Sequence, residues 1–174
     1  MKFDKQWFAL LTKSRFENVV NTGIEKKSIE VFLPKIRVRS KRKDRKLMID
    51  LPLFPGYLFV KISPEPEEQL RVLKTNGAVR LLGYKDGPVP VPSEQIESLR
   101  IITGSGLEVF TGSDSRLKQG ESVMVINGPF AGVKGEFVKY KGKNRVLIKI
   151  DALAQFAGVE IDEEDIERLP PILS

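Results

Sequence analysis

Between Lys35 and Lys46 the chain carries eight Lys/Arg against one acid, Asp44, and soon afterwards runs into Pro52-Leu53-Phe54-Pro55-Gly56-Tyr57-Leu58-Phe59-Val60. The stretch Lys41-Arg42-Lys43-Asp44-Arg45-Lys46 has no apolar residue to bury, so it must stand in solvent. It reads as the tip of a hairpin, entered through the alternating Ile36-Arg37-Val38-Arg39 and left through Leu47-Met48-Ile49. The two prolines and Gly56 then turn the chain into a strand, Tyr57 to Ile62. Its period of two sends Leu58, Val60 and Ile62 to one side and Tyr57, Phe59 and Lys61 to the other. One side is read as core and the other as a surface on offer to a partner.

Composition narrows what such a chain can do. The 174 residues, 41% of them hydrophobic and 30% charged, allow one domain or two small ones. A formal charge of +6 favours a polyanionic partner. Cys and His are both absent, which removes disulfides, thiolate and imidazole metal ligands and the commonest general base. The expectation is a protein that binds and does not catalyse, with no cofactor and no metal. The opening Met1 to Gln6 leads into an apolar run too short for a signal sequence or a membrane span, so a cytoplasmic, monomeric protein with no membrane partner is expected.

Trp7-Phe8-Ala9-Leu10-Leu11 has strand length and enough apolar residues to be buried on both faces. Ser14 and Glu17 form a capping-box pattern ahead of a helix over 15–27, with Phe16, Val19, Val20 and Ile24 along one face. A second strand covers Glu30 to Pro34. Ser63-Pro64 opens a second helix carrying Leu70 and Leu73, and strands at Ala78 to Leu82 and Val89 to Val91 flank the turn Lys85-Asp86-Gly87. Pro92-Ser93 opens a third helix with Ile96, Leu99 and Thr103 on one stripe. This order predicts an α+β fold, a mostly antiparallel sheet with helices packed on it, over 1–104. Gly, Ser, Thr and Asp dominate the next stretch, so 105–117 reads as a linker. Short strand patterns alone fill 118–174, as a small β-barrel would require: Ser122 to Ile126, Val133 to Tyr140, Arg145 to Ile150 and Val159 to Ile161. Phe130 is read as packing in that core, and Gly135 as a bend or a close backbone approach inside a strand.

The segment from Gly120 through Asn127-Gly128-Pro129-Phe130-Ala131-Gly132 to Glu136 resembles a KOW motif. The first half, with its Trp7 strand, helix, basic hairpin and Leu53-Phe54-Pro55-Gly56-Tyr57-Leu58-Phe59-Val60, resembles the N-terminal domain of the NusG family. Both motifs in this order make the chain similar to that family over nearly its whole length. Asp50 to Val60 looks most like the specialised antiterminator paralogs, among them the RfaH branch.

The resemblance implies a transcription elongation factor that promotes processive elongation or antitermination of particular operons. It implies docking on the clamp coiled coil of RNA polymerase through Phe54, Tyr57 and Phe59. Upstream or non-template DNA falls to Arg39, Lys41, Arg42, Lys43, Arg45 and Lys46 of the basic hairpin. Lys13, Thr75 and Asn76 match DNA-hairpin contacts of the RfaH branch, and Leu153 and Phe156 are the exposed apolar residues through which a KOW domain would bind ribosomal protein S10 or Rho. Two other functions fit parts of the pattern: a housekeeping NusG, and a ribosome-associated KOW protein that binds RNA.

Overall fold

The structure is a computed structural model and describes residues 4–41, 47–113 and 120–170. The chain divides into two compact units, Met1–Pro92 and Ser93–Ser174.

The first unit is built on β1 (Gln6–Thr12), followed by helix α1 (Glu17–Glu25) and strand β2 (Glu30–Phe32). β3 (Lys35–Arg39) and β4 (Met48–Pro52) form a two-stranded sheet of their own. β5 (Tyr57–Ile62), helix α2 (Pro66–Leu73) and β6 (Ala78–Leu81) follow, then a small hairpin of β7 (Gly83–Tyr84) and β8 (Gly87–Pro88), and β9 (Pro90–Val91). The main sheet runs β2-β5-β1-β6 with β9 also on β1, all antiparallel. β1 and β5 pair as Phe8↔Val60 and Leu10↔Leu58, so these four side chains share a face. That face packs with Ile62, with Val20 and Ile24 of α1 and with Val72 of α2 into one core.

Both faces of the sheet are buried at its centre. Trp7, Ala9 and Phe59, on the side away from that core, are no more than 4% exposed. The double burial read from the Trp7 run is therefore present, whereas the second side of β5 is far less open than its alternation implied. α2 starts at Pro66, later than Ser63-Pro64, because Glu65 is still extended (φ −65°, ψ 138°) and the Pro66 ring suits the first helical turn. Its buried apolar residue is Val72; Leu70 and Leu73, the predicted face, are exposed.

The second unit opens with helix α3 (Ser93–Gly104), which buries Ile96, Leu99 and Ile102. Six strands follow: β10 (Phe110–Ser113), β11 (Glu121–Val125), β12 (Lys134–Tyr140), β13 (Lys143–Ile150), β14 (Gln155–Glu160) and β15 (Ile166–Arg168). They form one antiparallel sheet in the order β10-β14-β13-β12-β11-β15. The stretch marked as linker thus holds a strand, β10, whose Phe110 meets Phe156 edge-on at 5.9 Å. The third helix, placed with the first domain by its sequence position, groups with this sheet. Ser98 explains the attachment: its Oγ accepts from the Lys134 amide (2.9 Å) and donates to the Lys134 carbonyl (3.3 Å), beyond the last β12–β13 pair at Glu136↔Leu147. Lys134 also reaches Glu94 at 3.1 Å.

Phe130 is buried, 6% exposed, as its motif position suggested. Gly135 stands where an added Cβ would come within 2.4 Å of the Leu147 carbonyl oxygen. Gly135→Ala should accordingly lower stability by roughly 1–3 kcal/mol, the usual cost of forcing atoms into a packed interior. A urea-unfolding midpoint equal to the parent's would contradict that close approach.

Candidate functional site

The Pro-Gly bend between β4 and β5 is fixed from three directions. Leu53 N–H donates to the Pro34 carbonyl (2.8 Å) and Tyr57 N–H closes the turn on the Phe54 carbonyl (3.0 Å). The peptide groups of Gly56 face inward: its carbonyl accepts from Thr12 N–H (2.8 Å) and its N–H donates to Glu17 Oε2 (3.2 Å). Gly56 sits at φ +87° with open space where a Cβ would project, so glycine is needed there for its backbone angle and not for room. Glu17, 7% exposed, is thus occupied by the bend. The predicted capping box does not form: Phe16 is the N-cap residue, without a side-chain cap bond, and Glu17 begins the helix. A carboxylate in the first turn remains favourable there, because free helix N–H groups leave partial positive charge.

The three aromatics expected on the docking face have different fates. Phe54 and Phe59 are fully buried, which corrects the expectation of exposed rings; Tyr57 is half-buried. Register supplies the reason. Phe59 lies between Ala9 of β1 and Phe32 of β2 and stacks on the Phe32 ring, centroids 6.2 Å apart and planes 26° apart. Tyr57 faces Leu11 at the start of β5, beyond the reach of β2, whose pairing spans only Phe59 to Lys61.

The hairpin read from the sequence is present, paired from Lys35↔Pro52 to Arg39↔Met48, with Ser40 N–H donating to the Leu47 carbonyl. Arg39 and Lys41 are exposed; Arg42, Lys43, Arg45 and Lys46 lie outside the described residues. Arg37 reaches Asp50 across the strands at 3.5 Å, both well exposed, an ion pair worth at most about 1 kcal/mol. From Lys35 to Pro52 there are eight Lys/Arg and two acids, Asp44 and Asp50, while the rest of the chain holds 21 of each sign. The entire formal charge of +6 is therefore matched by the sequence span from Lys35 to Pro52. Its second property is aliphatic: Ile36 opposes Leu51 and Val38 opposes Ile49, with Leu47, Ile49 and Leu51 exposed. No recognised motif marks these residues, although the alternation along both arms carries them.

Lys13 and Asn76 are exposed, and Lys13 N–H donates to the Gly77 carbonyl at 2.8 Å, which brings the two segments together. Thr75 is buried, 6% exposed, and its hydroxyl accepts from Lys27 Nζ (3.0 Å). A shallow hollow of about 480 Å³ beside it is lined by Asn18, Thr22, Lys26 and Asn76 among others. In the second unit, Leu153 is 8% exposed and Phe156 fully buried; both are core and not the exposed partner contacts expected. Phe156 fills the space over Gly112, where an added Cβ would come within 2.6 Å of its ring. Among the described residues no three or more Asp/Glu gather as a metal site, and no helix is long and apolar enough to cross a membrane.

Comparison with known proteins gives this arrangement relatives. A family model described as transcription termination factor NusG matches residues 5–100. The chain is similar to the transcription termination/antitermination protein NusG of Streptococcus pyogenes serotype M3, 27% identical, covering 96% of this chain and 98% of the relative. It is also similar to that of Bacillus subtilis strain 168, 28% identical over 95% and 99% of the two chains. In fold it matches a solved Thermotoga maritima NusG with a TM-score of 0.53 at 23% identity, over 95% of this chain and 98% of that one.

Glu17→Ala leaves the Gly56 amide without its buried acceptor and should cost about 1–3 kcal/mol, with faster hydrogen exchange at Gly56; unchanged exchange there would show that the bend does not need the carboxylate. Phe156→Ala should cost about 3–5 kcal/mol, as for other large aromatic truncations in a core. A loss below 1 kcal/mol in urea unfolding would return Phe156 to the surface.

Proposed function

The chain belongs to the NusG family, and from that membership we propose that it is a transcription elongation and antitermination factor that docks on the clamp coiled coil of RNA polymerase. Tyr57 is its leading contact. The observation that carries this reading is a half-open aromatic on a bend pinned by Glu17 and Thr12, joined by β4 directly to a hairpin that holds the whole net charge. Phe54 and Phe59 support the bend from inside and are not direct contacts. A rigid ring loses little conformational entropy on binding, which favours it as an interface anchor.

The hairpin then lies against upstream or non-template DNA. Its Lys and Arg side chains displace condensed counterions from the phosphates, so affinity falls with salt and depends little on sequence. Lys13 and Asn76 extend the nucleic-acid contact along a neighbouring edge of the first unit. No catalytic group is required. A protein bound across a cleft stabilises the closed state by its differential affinity for the two states, and closure suppresses pausing. The setting is the cytoplasm, where the polymerase works.

Within this function, the Asp50 to Val60 sequence favours an operon-specific factor. The second reading, a general NusG, is favoured by relatives of that name aligned over 95–96% of the chain. A paused-elongation assay separates them: the specialist extends transcripts only on templates bearing its own leader, the general factor on any template.

Burial of one large side chain in a partner is worth about 1.5–3 kcal/mol, so Tyr57→Ala should weaken capture of purified core polymerase by roughly 10- to 100-fold. Equal capture by parent and variant would remove Tyr57 from the interface. Ribosome co-sedimentation together with that equal capture would turn the assignment toward a ribosome-associated RNA-binding protein.

A further inference from the structure

The β3–β4 hairpin has two faces of opposite chemistry, and its cations account for only one of them. Directly opposed residues share a face, so Lys35, Arg37, Arg39, Met48 and Asp50 project to one side. Ile36, Val38, Ile49 and Leu51 project to the other, continued by Leu47 next to Ser40. Leu47 is 55% exposed, Leu51 43% and Ile49 38%. Strict alternation on both arms of a ribbon is the pattern of a sheet that is covered on one side. An isolated two-stranded sheet is only marginally stable in water without such a layer.

We propose that the aliphatic face of this hairpin seats on an apolar protein surface of the polymerase–nucleic-acid complex while its cationic face lies on the phosphates, so that the ribbon is held between protein and nucleic acid. This rests on the polymerase-docking function proposed above. Charge selects the occupant. A second copy of the chain would bring a second +6 hairpin against the first, a like-charge encounter disfavoured unless a polyanion intervenes. A nucleoprotein surface supplies both complements at once, anions for one face and apolar side chains for the other. In the chain, Leu51 also lies just ahead of the bend that presents Tyr57.

The test compares the full-length parent, Ile49→Ser/Leu51→Ser, Arg39→Ala/Lys41→Ala and Tyr57→Ala. Each is titrated against core RNA polymerase on a transcription-bubble scaffold, against the same DNA without polymerase, and against vesicles of phosphatidylglycerol and phosphatidylcholine. The serine double variant should bind the loaded polymerase roughly tenfold or more weaker while keeping the parent's affinity and salt slope on bare DNA; the charge variant should lose affinity and slope on both. Should the serine pair shift the unfolding midpoint, Leu47→Ser, at the most exposed of these positions, takes its place. Unchanged binding of the serine variant to the loaded polymerase overturns the proposal. So does aliphatic-dependent binding to vesicles, or a concentration-dependent dimer in sedimentation that the serine pair abolishes. If Tyr57→Ala binds normally and the serine variant does not, the Tyr57 reading fails and the hairpin assignment stands; a parent that does not bind loaded polymerase sinks both.

Discussion

One hydrogen bond organises the Pro-Gly bend of the first unit: a nearly buried carboxylate on Glu17 accepts the amide of Gly56. A buried carboxylate without partners is costly, and the half-buried Gly56 amide supplies Glu17 with a donor. Thr12 takes the carbonyl of the same residue, and the bend is thereby tied to the first helix and to the central strand together. The entry to β5, the orientation of Tyr57 and the root of the basic hairpin all follow from where that peptide is held.

Much of this was legible in the residues. The polycation had to leave the core, and the register Lys35↔Pro52 to Arg39↔Met48 is the hairpin its alternation describes. The Trp7 run is buried on both faces, and Phe130 and Gly135 have the packing their positions implied. What misled were features in which tertiary context decides between two uses of one side chain. Ser14 and Glu17 have capping-box spacing, yet the carboxylate is drawn to the glycine amide of a distant bend. Phe59 and Tyr57 alternate alike, but only strand pairing reveals that β2 covers one and stops short of the other. Leu153 and Phe156 looked exposed because a loop was expected there; β14 begins at Gln155 and takes Phe156 inside.

The same limit applies to boundaries. Gly, Ser and Thr between 104 and 115 read as linker by composition, but Phe110 anchors a strand among them by meeting Phe156. Gly112 is small because that ring lies over it, and not because the chain must bend. Composition reports the size of a residue, whereas the reason for the size is visible only once its neighbour is known.

The hydroxyl of Ser98 has a wider consequence. Past the final β12–β13 pair, Lys134 would be left with an amide and a carbonyl that no strand satisfies, and unmade backbone hydrogen bonds are costly. Both are taken by one helix side chain only 1% exposed. A serine thus does the work of an absent strand, completing the hydrogen bonding of β12 where its partner strand has ended.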